Sequence, residues 1–418
     1  MTQSATDSTI TAGPPPTSRT PKLDLDLDLS GGMCFDLSPE QAMIRQAARQ
    51  FSDEVILPGA RDRDREERFP FELIPEMAKL GFLAPTLPQR YGGQGLDFIS
   101  ESIIFEEIGR ADSSIRTTLS VQISLTEIPI WRWGTDALKQ KYLPKLASGE
   151  WLGCFGLTEP QAGSDAANQQ TRATKDGDDY ILNGHKIWIS NGAIAQLAII
   201  FCQTDPELKH KGLAAFLVET DTPGFAAHTI HHKLGLRSSN TAELVLQDVR
   251  VPAANMLGQI GDGFRIAMSA LDDGRFGVAS GCVGILQGCV DASVKYATER
   301  IAFNKPIASF QLVQELIADM VLDLECARLL VYRAGYLKSK GEPNTRETSL
   351  AKWFAGEAAV RAALNCIQVH GGYGYSDEYP GERYLRDAKV ATLYEGTTQI
   401  QKLIVGRYAT GVDAFGAT

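Results

Sequence analysis

YILNGHKIWIS, residues 180–190, is rich in β-branched and aromatic side chains, and helical spacing stops there. The same character continues through AQLAIIFCQT (195–204), GLAAFLVET (212–220) and TAELVLQDVRV (241–251), separated by Gly, Asn, Asp and Pro. Such segments predict a compact antiparallel sheet. On both sides the spacing is helical. Upstream, helices are expected in FELIPEMAKLGFLAP (71–85), DFISESIIFEEIGRAD (97–112) and TDALKQKYLPKLASGE (135–150). The first helix should start at Ser38, with Pro39 at the first helical position and Gln41 completing a capping box. Downstream, amphipathic segments near 263–300, 309–340 and 345–370, and a last one from about Thr398, predict an up-and-down helical bundle. The expected fold class is α+β, mostly α. Its parts are a disordered tail (1–35), an N-terminal helical domain (36–150), a middle β domain (151–255) and a C-terminal helical bundle (256–418). The LDLDLDL alternation at 23–29 reads as part of the solvated tail.

A chain of 418 residues, 44% hydrophobic, is long enough to bury more than one core. Its 41 basic against 51 acidic residues give a net charge of −10, which argues against nucleic acid or an anionic membrane as partner. Seven scattered cysteines without a Cys-x-x-Cys pair fit a reducing, cytoplasmic setting and give no zinc or redox motif. No uninterrupted apolar run approaches 18 residues, and the start lacks a signal-peptide layout, so a soluble protein is expected.

No glycine cluster has dinucleotide-fingerprint spacing after a strand. The group His228, His231 and His232 lacks metal-site spacing, and no metal is expected. In CFGLTEPQAGSDAANQQTRA (154–173), Thr158, Gly163 and Ser164 can offer hydroxyls and backbone N–H groups to an anionic or heteroaromatic ligand, although spacing alone favours an ordinary loop. WISNG (188–192) sets a planar ring beside a hydroxyl, at a ligand or at a domain edge. Asp272 and Arg275 share a helical face, and Arg300, Phe303 and Lys305 cluster by a helix break at Pro306. Glu395, in LYEGTTQIQK (393–402), lies just outside a helix start. A Thr398-x-x-Gln401 capping box is expected there, and an exposed, dipole-stabilised acid is the ordinary outcome beside a catalytic one.

Taken together, GLTEPQAGSD, NGHKIWISNG, KLGLRSSNTAELVLQDVRVP, LDDGR, ERIAFNKPI, IQVHGGYGYSDEYPGERYLRDAK and LYEGTTQIQKLIVGR resemble the acyl-CoA dehydrogenase family over about residues 36–415. The resemblance implies a helical domain, a β domain and a four-helix bundle, with FAD as cofactor and a homotetramer. It implies that Glu395 is the base removing the α-proton of an acyl-CoA as the β-hydride passes to the flavin, giving a trans-2-enoyl-CoA. The electrons then go to an electron-transfer flavoprotein. By the same matching, Phe155, Leu157, Thr158, Gly163, Ser164, Trp188 and Ser190 meet the flavin ring and its chain. Arg300, Phe303, Gln368 and Gly372 hold the adenosine pyrophosphate across a subunit boundary, with Thr397 and Gln399 contributing from the first subunit. Asp272, Arg275 and Arg407 contact the CoA moiety or close the site, and Ser164 also faces substrate. Asn304 stands where the family usually has glycine, a departure within the stretch expected to meet FAD.

For the substrate, GRADSSIRTTLSVQISL (109–125) resembles glutaryl-CoA dehydrogenases, in which Arg116, with the Thr117 and Ser120 hydroxyls, would meet a distal carboxylate. The rest leans toward short-chain monocarboxylic acyl-CoA dehydrogenases, and an alkyl substrate would require Arg116 to turn outward or to pair with a protein acid. The expectation is a short-chain acyl-CoA dehydrogenase. Its alternatives are a decarboxylating glutaryl-CoA type, an oxidase, a dehydrogenase of carrier-protein-bound acyl groups and, last, a binding module without this chemistry.

Overall fold

The computed structural model describes residues 36–414; the expected tail lies outside them. The first helices are α1 (Pro39–Phe51), α2 (Ala60–Glu66), α3 (Leu73–Lys79), α4 (Phe98–Ala111), α5 (Ser113–Ser120), α6 (Ile128–Trp133) and α7 (Asp136–Ala147). The Ser38–Gln41 capping box is formed, with Pro39 opening α1. A π-helical segment, Val121–Glu127, joins α5 to α6. This wide turn lets Gln122 donate to Leu146 O (3.0 Å) and accept from Gly153 N (2.8 Å), which ties the helices to the first strand.

Eight strands follow: β1 (Gly153–Gly156), β2 (Arg172–Asp176), β3 (Asp179–Ser190), β4 (Leu197–Gln203), β5 (Leu213–Glu219), β6 (Phe225–Thr229), β7 (Thr241–Pro252) and β8 (Met256–Leu257). They form one sheet in the order β6-β7-β3-β2-β4-β5-β8, with β1 against β4. The sheet is antiparallel except where β4 pairs in parallel with β1 and, through one residue pair, with β2. Strands β4 and β5 are apolar on both faces because the sheet is covered twice. Leu197, Ile199, Phe201 and Leu217 join the core shared with the helices, while Ala198, Ile200, Phe216 and Val218 face the outer sheet core. Between β3 and β7 the register shifts after Lys186; Trp188 there has φ +62° and stands 60% exposed, turned out by the bulge.

The remaining helices are α8 (Gly263–Glu299), α9 (Gln311–Ser339), α10 (Thr345–His370), α11 (Gly381–Ala391) and α12 (Thr398–Thr410). The sequence spacing foresaw α8, α9, α10 and α12 and missed α11. Among the described residues α8 alone is long and apolar enough to cross a membrane, but 78% of its apolar window is buried inside the protein. Its residues enter both the bundle core (Phe276, Val283, Leu286) and the core under the sheet (Ile266, Ala270). Between α8 and α9, Ile301–Ala302 and Lys305–Pro306 pair around Phe303 and Asn304, both at positive φ (51° and 62°). Asn tolerates this turn almost as glycine does, so glycine is not needed at residue 304.

A buried ion pair fixes the loop after β1. Lys186 Nζ donates to Glu159 Oε1 (2.7 Å), Gln169 Oε1 (2.6 Å) and Leu157 O (3.3 Å), and the Glu159 carboxylate accepts from Gln170 N (2.6 Å) and Thr171 N (3.0 Å). Burial works to raise the Glu159 carboxyl, but Lys186 and these donors hold it below its ordinary range. We expect Lys186→Met to destabilise the fold by about 3–5 kcal/mol in urea denaturation, and adding Glu159→Gln to recover part of the loss, because the stranded charge is then gone.

Candidate active site

Between α11 and α12 the chain makes a left-handed elbow. Glu395 has φ +53° and Gly396 φ +86°. Glycine takes this conformation freely, whereas for glutamate it costs about 1–2 kcal/mol and must be held from outside. Three side chains grip its two carbonyls. Arg275 Nε donates to Glu395 O (3.2 Å), Gln401 Nε2 donates to Glu395 O (3.3 Å) and Gly396 O (3.1 Å), and Lys352 Nζ donates to Gly396 O (2.6 Å). The expected Thr398 capping box is not formed. Thr397 is the N-cap of α12, its hydroxyl accepting from Ile400 N at 3.3 Å, because Gln401 is spent on the elbow carbonyls.

The elbow aims the Glu395 carboxylate at α8. Its Oε2 is sealed from solvent with no hydrogen-bond partner, although the residue as a whole is half-buried. A Cβ at Gly274 would collide with Oε2 and lie 2.8 Å from Cδ and 2.9 Å from Leu125 Cδ2, so a methyl there would displace the carboxylate from this position. Burial pushes the Glu395 carboxyl up to about 7 against the pull of Arg116, Lys352 and Arg275.

Against Gly281, further along α8, Arg116 of α5 is buried and donates through one terminal nitrogen to Tyr394 Oη (2.7 Å), while its Nε and other terminal nitrogen have no partner. It neither turns outward nor meets a protein acid, the two outcomes foreseen for an alkyl substrate. Ser120 and Ser124 hydroxyls are likewise buried and unpartnered, and a Cβ at Gly277 would lie 2.7 Å from Ser120 Oγ. Thr117 instead donates back to Ser113 O (2.9 Å), away from this group.

The other predicted residues form separate groups. Phe155 and Leu157 are buried and Thr158 half-buried beside the bulge of β3, where Ile187 N donates to Thr158 O (3.0 Å); Ser190 ends that strand. Gly163 and Ser164 stand exposed in the loop held by Lys186 and Glu159. Arg300 and Gly372 line one cleft of about 580 Å³ with Tyr296, His370 and Tyr373; Gln368 lies exposed at the end of α10, and Phe303 projects 89% exposed. Gln399 borders a second, smaller cleft of about 390 Å³ with Arg361 and Lys389. Asp272 accepts from Arg275 (2.7 Å) and Thr345 (2.7 Å), which makes their shared helical face an ion pair, whereas Arg407 is near the surface with Asp413 at 3.4 Å.

Family models for the N-terminal, middle and C-terminal domains of acyl-CoA dehydrogenases match residues 38–150, 154–249 and 261–410. The chain belongs to the acyl-CoA dehydrogenase family. It is 43% identical to a short-chain-specific acyl-CoA dehydrogenase of Megasphaera elsdenii over 90% of this chain and 99% of that one. A chain in a solved structure of the electron transferring flavoprotein of Acidaminococcus fermentans matches with TM-score 0.89 and 42% identity, covering 90% of this chain and all of that one (100%). The structure of a glutaryl-coenzyme A dehydrogenase–glutaryl-CoA complex matches with TM-score 0.88 and 41% identity, covering 91% and 97%.

An acyl-CoA dehydrogenase implies a flavin, and the residues fit one. A Cβ at Gly163 or Gly372 would meet nothing within 4 Å, the Trp188 ring is turned out of the sheet, and apolar Phe155 and Leu157 are buried at the end of β1. Sequence reasoning missed Lys352, Tyr394 and Gly274 around the elbow. Lys352 carried a signal: it shares a helical face with the buried Ala355 and Ala359. We expect Gly274→Ala to lower flavin reduction by butyryl-CoA about 100-fold or more, since the new methyl must displace the carboxylate, with far-UV circular dichroism unchanged.

Proposed function

We propose that this chain is an FAD-dependent dehydrogenase of short-chain acyl-CoA thioesters that forms the trans-2-enoyl-CoA and hands electrons to an electron-transfer flavoprotein. The observation that carries the reading is the buried Oε2 of Glu395, without a protein hydrogen-bond partner, beneath Gly274. Abstracting the weakly acidic thioester α-proton calls for a carboxylate that is positioned, poorly solvated and more basic than usual. Glu395, pushed up to about 7, suits that role. When bound, FAD supplies the hydride acceptor. Phe155, Leu157, Thr158, Gly163, Ser164, Trp188 and Ser190 would hold its ring and chain; Arg300, Phe303, Gln368, Gly372, Thr397 and Gln399 its adenosine pyrophosphate. Asp272 has both oxygens engaged, so its part and that of Arg275 in substrate binding would come through the elbow, while Arg407 would meet the CoA moiety.

The proposed homotetramer is supported by large apolar side chains left exposed on α9, namely Leu312, Leu322 and Leu329, and by the openness of the Arg300–Gly372 cleft. The domain division at 36–150, 151–255 and 256–418 and a cytoplasmic setting belong to the same proposal. Sedimentation should give four times the chain mass.

Glu395→Gln should keep FAD but abolish its reduction by butyryl-CoA; reduction at the normal rate would overturn the assignment. Because the base acts deprotonated, the wild-type rate should fall tenfold per pH unit below the Glu395 value near 7 and level off above it. Dye reduction compared with oxygen alone separates a dehydrogenase from an oxidase.

The unpartnered Nε and terminal nitrogen of Arg116 favour a second reading, a dicarboxylyl-CoA whose distal carboxylate meets them. In that case Arg116→Leu should cut kcat/KM about 100-fold for glutaryl-CoA and little for butyryl-CoA. Similar losses on both substrates would leave the arginine a structural part of the pocket.

A further inference from the structure

Lys352 lies on α10 in the buried face that meets α8, 1% exposed, and forms no ion pair among the described residues. An ammonium so placed is costly unless something nearby uses its charge. Its Nζ donates to Gly396 O at 2.6 Å, the carbonyl on the C-terminal side of the elbow. The charged and titratable groups facing this place are Arg116 from α5, Arg275, Asp272 and Cys282 from α8, and Tyr394 and Glu395 from the elbow. Arg275 is neutralised by Asp272 at 2.7 Å, and Arg116 gives its one hydrogen bond to Tyr394. Lys352, like Arg116, therefore stands near the Glu395 carboxylate as a cation without an ion-pair partner among the described residues, and burial lowers it to about 8 although the Glu395 charge works the other way.

We propose that Lys352 is a positioning residue for the base: its ammonium fixes the Gly396 carbonyl of the elbow and, together with Arg116, supplies positive charge that eases ionisation of the Glu395 carboxylate. The role rests on the reading of Glu395 as the base. Gln401 grips the same Gly396 carbonyl, and that of Glu395 as well, without charge and serves as an internal control. A purely mechanical clamp and an electrostatic one then differ in what they do to the pH profile.

The test is the rate of flavin reduction by butyryl-CoA, followed against pH in the FAD-loaded enzyme. In Lys352→Met the acid limb should move up by about one pH unit, with KM little changed, and Lys352→Arg should restore it. Gln401→Leu should lower the plateau while leaving the limb where it is. An unmoved limb in Lys352→Met, or in Lys352→Gln should the Met variant fail to fold, overturns the inference, as does an equal shift in Gln401→Leu. Glu395→Gln in the same series separates the two readings. If it still reduces flavin, the base assignment fails; if it is inactive and the limb is fixed in the Lys352 variants, only the role of Lys352 fails.

Discussion

The structure depends on one face of one helix having no side chains. Gly274, Gly277, Gly281, Gly284 and Gly288 recur along α8 at alternating intervals of three and four, so they form a single stripe. A Cβ on each would strike, in turn, Glu395, Ser120, Arg116, the backbone of Glu106 and the Tyr384 hydroxyl. Each glycine in a helix interior forgoes roughly 0.8–1 kcal/mol of helix propensity relative to alanine. What offsets that cost is close approach. α4 packs on α8 at backbone distance at one end of the stripe, around Gly284, and toward the other the space is taken by the polar side chains of Arg116, Ser120 and Glu395.

That geometry explains how three domains of different character share one site. α8 belongs to the bundle core and to the core under the sheet, so movement of any domain would be felt at Gly274. The π-helical turn of α5–α6 places Ser120 and Ser124 toward the stripe and Gln122 toward the sheet, and the Lys186–Glu159 pair holds the loop carrying Gly163 and Ser164. Rigid elements thus present both the buried carboxylate and the exposed polar loop.

The domains were legible because periodicity is a long-range average. The change from helical spacing to strands near Trp151 and back near Gly263 survives any local error. α11 was missed because its eleven residues follow a glycine- and tyrosine-rich turn that reads as loop. The capping error at Thr398 has the same kind of cause: two adjacent threonines compete locally, and a tertiary contact, the reach of Gln401 to the elbow, decides between them. Glu395 shows the limit most clearly. Its local sequence gives a helix-end acid, while its burial and raised basicity come from Gly274 and Leu125, more than a hundred residues away. Family resemblance supplied what spacing alone could not.

The site also has a charge balance that constrains what it can accept. Arg116, Arg275 and Lys352 face Glu395 and Asp272, leaving one positive charge in excess when all are ionised. That excess stabilises an ionised base, and it also favours negative charge developing on a substrate carbonyl during proton removal. Arg116 marks the point where the two substrate readings diverge physically. An alkyl chain laid against its two free donors would leave them unsatisfied, at about 1–3 kcal/mol for a buried polar group, unless water enters with it. A carboxylate would satisfy both donors and cancel the excess charge, but would add a second anion near Glu395 and raise its basicity further. The arginine therefore couples substrate choice to the strength of the base, and a chain built this way cannot change one without changing the other.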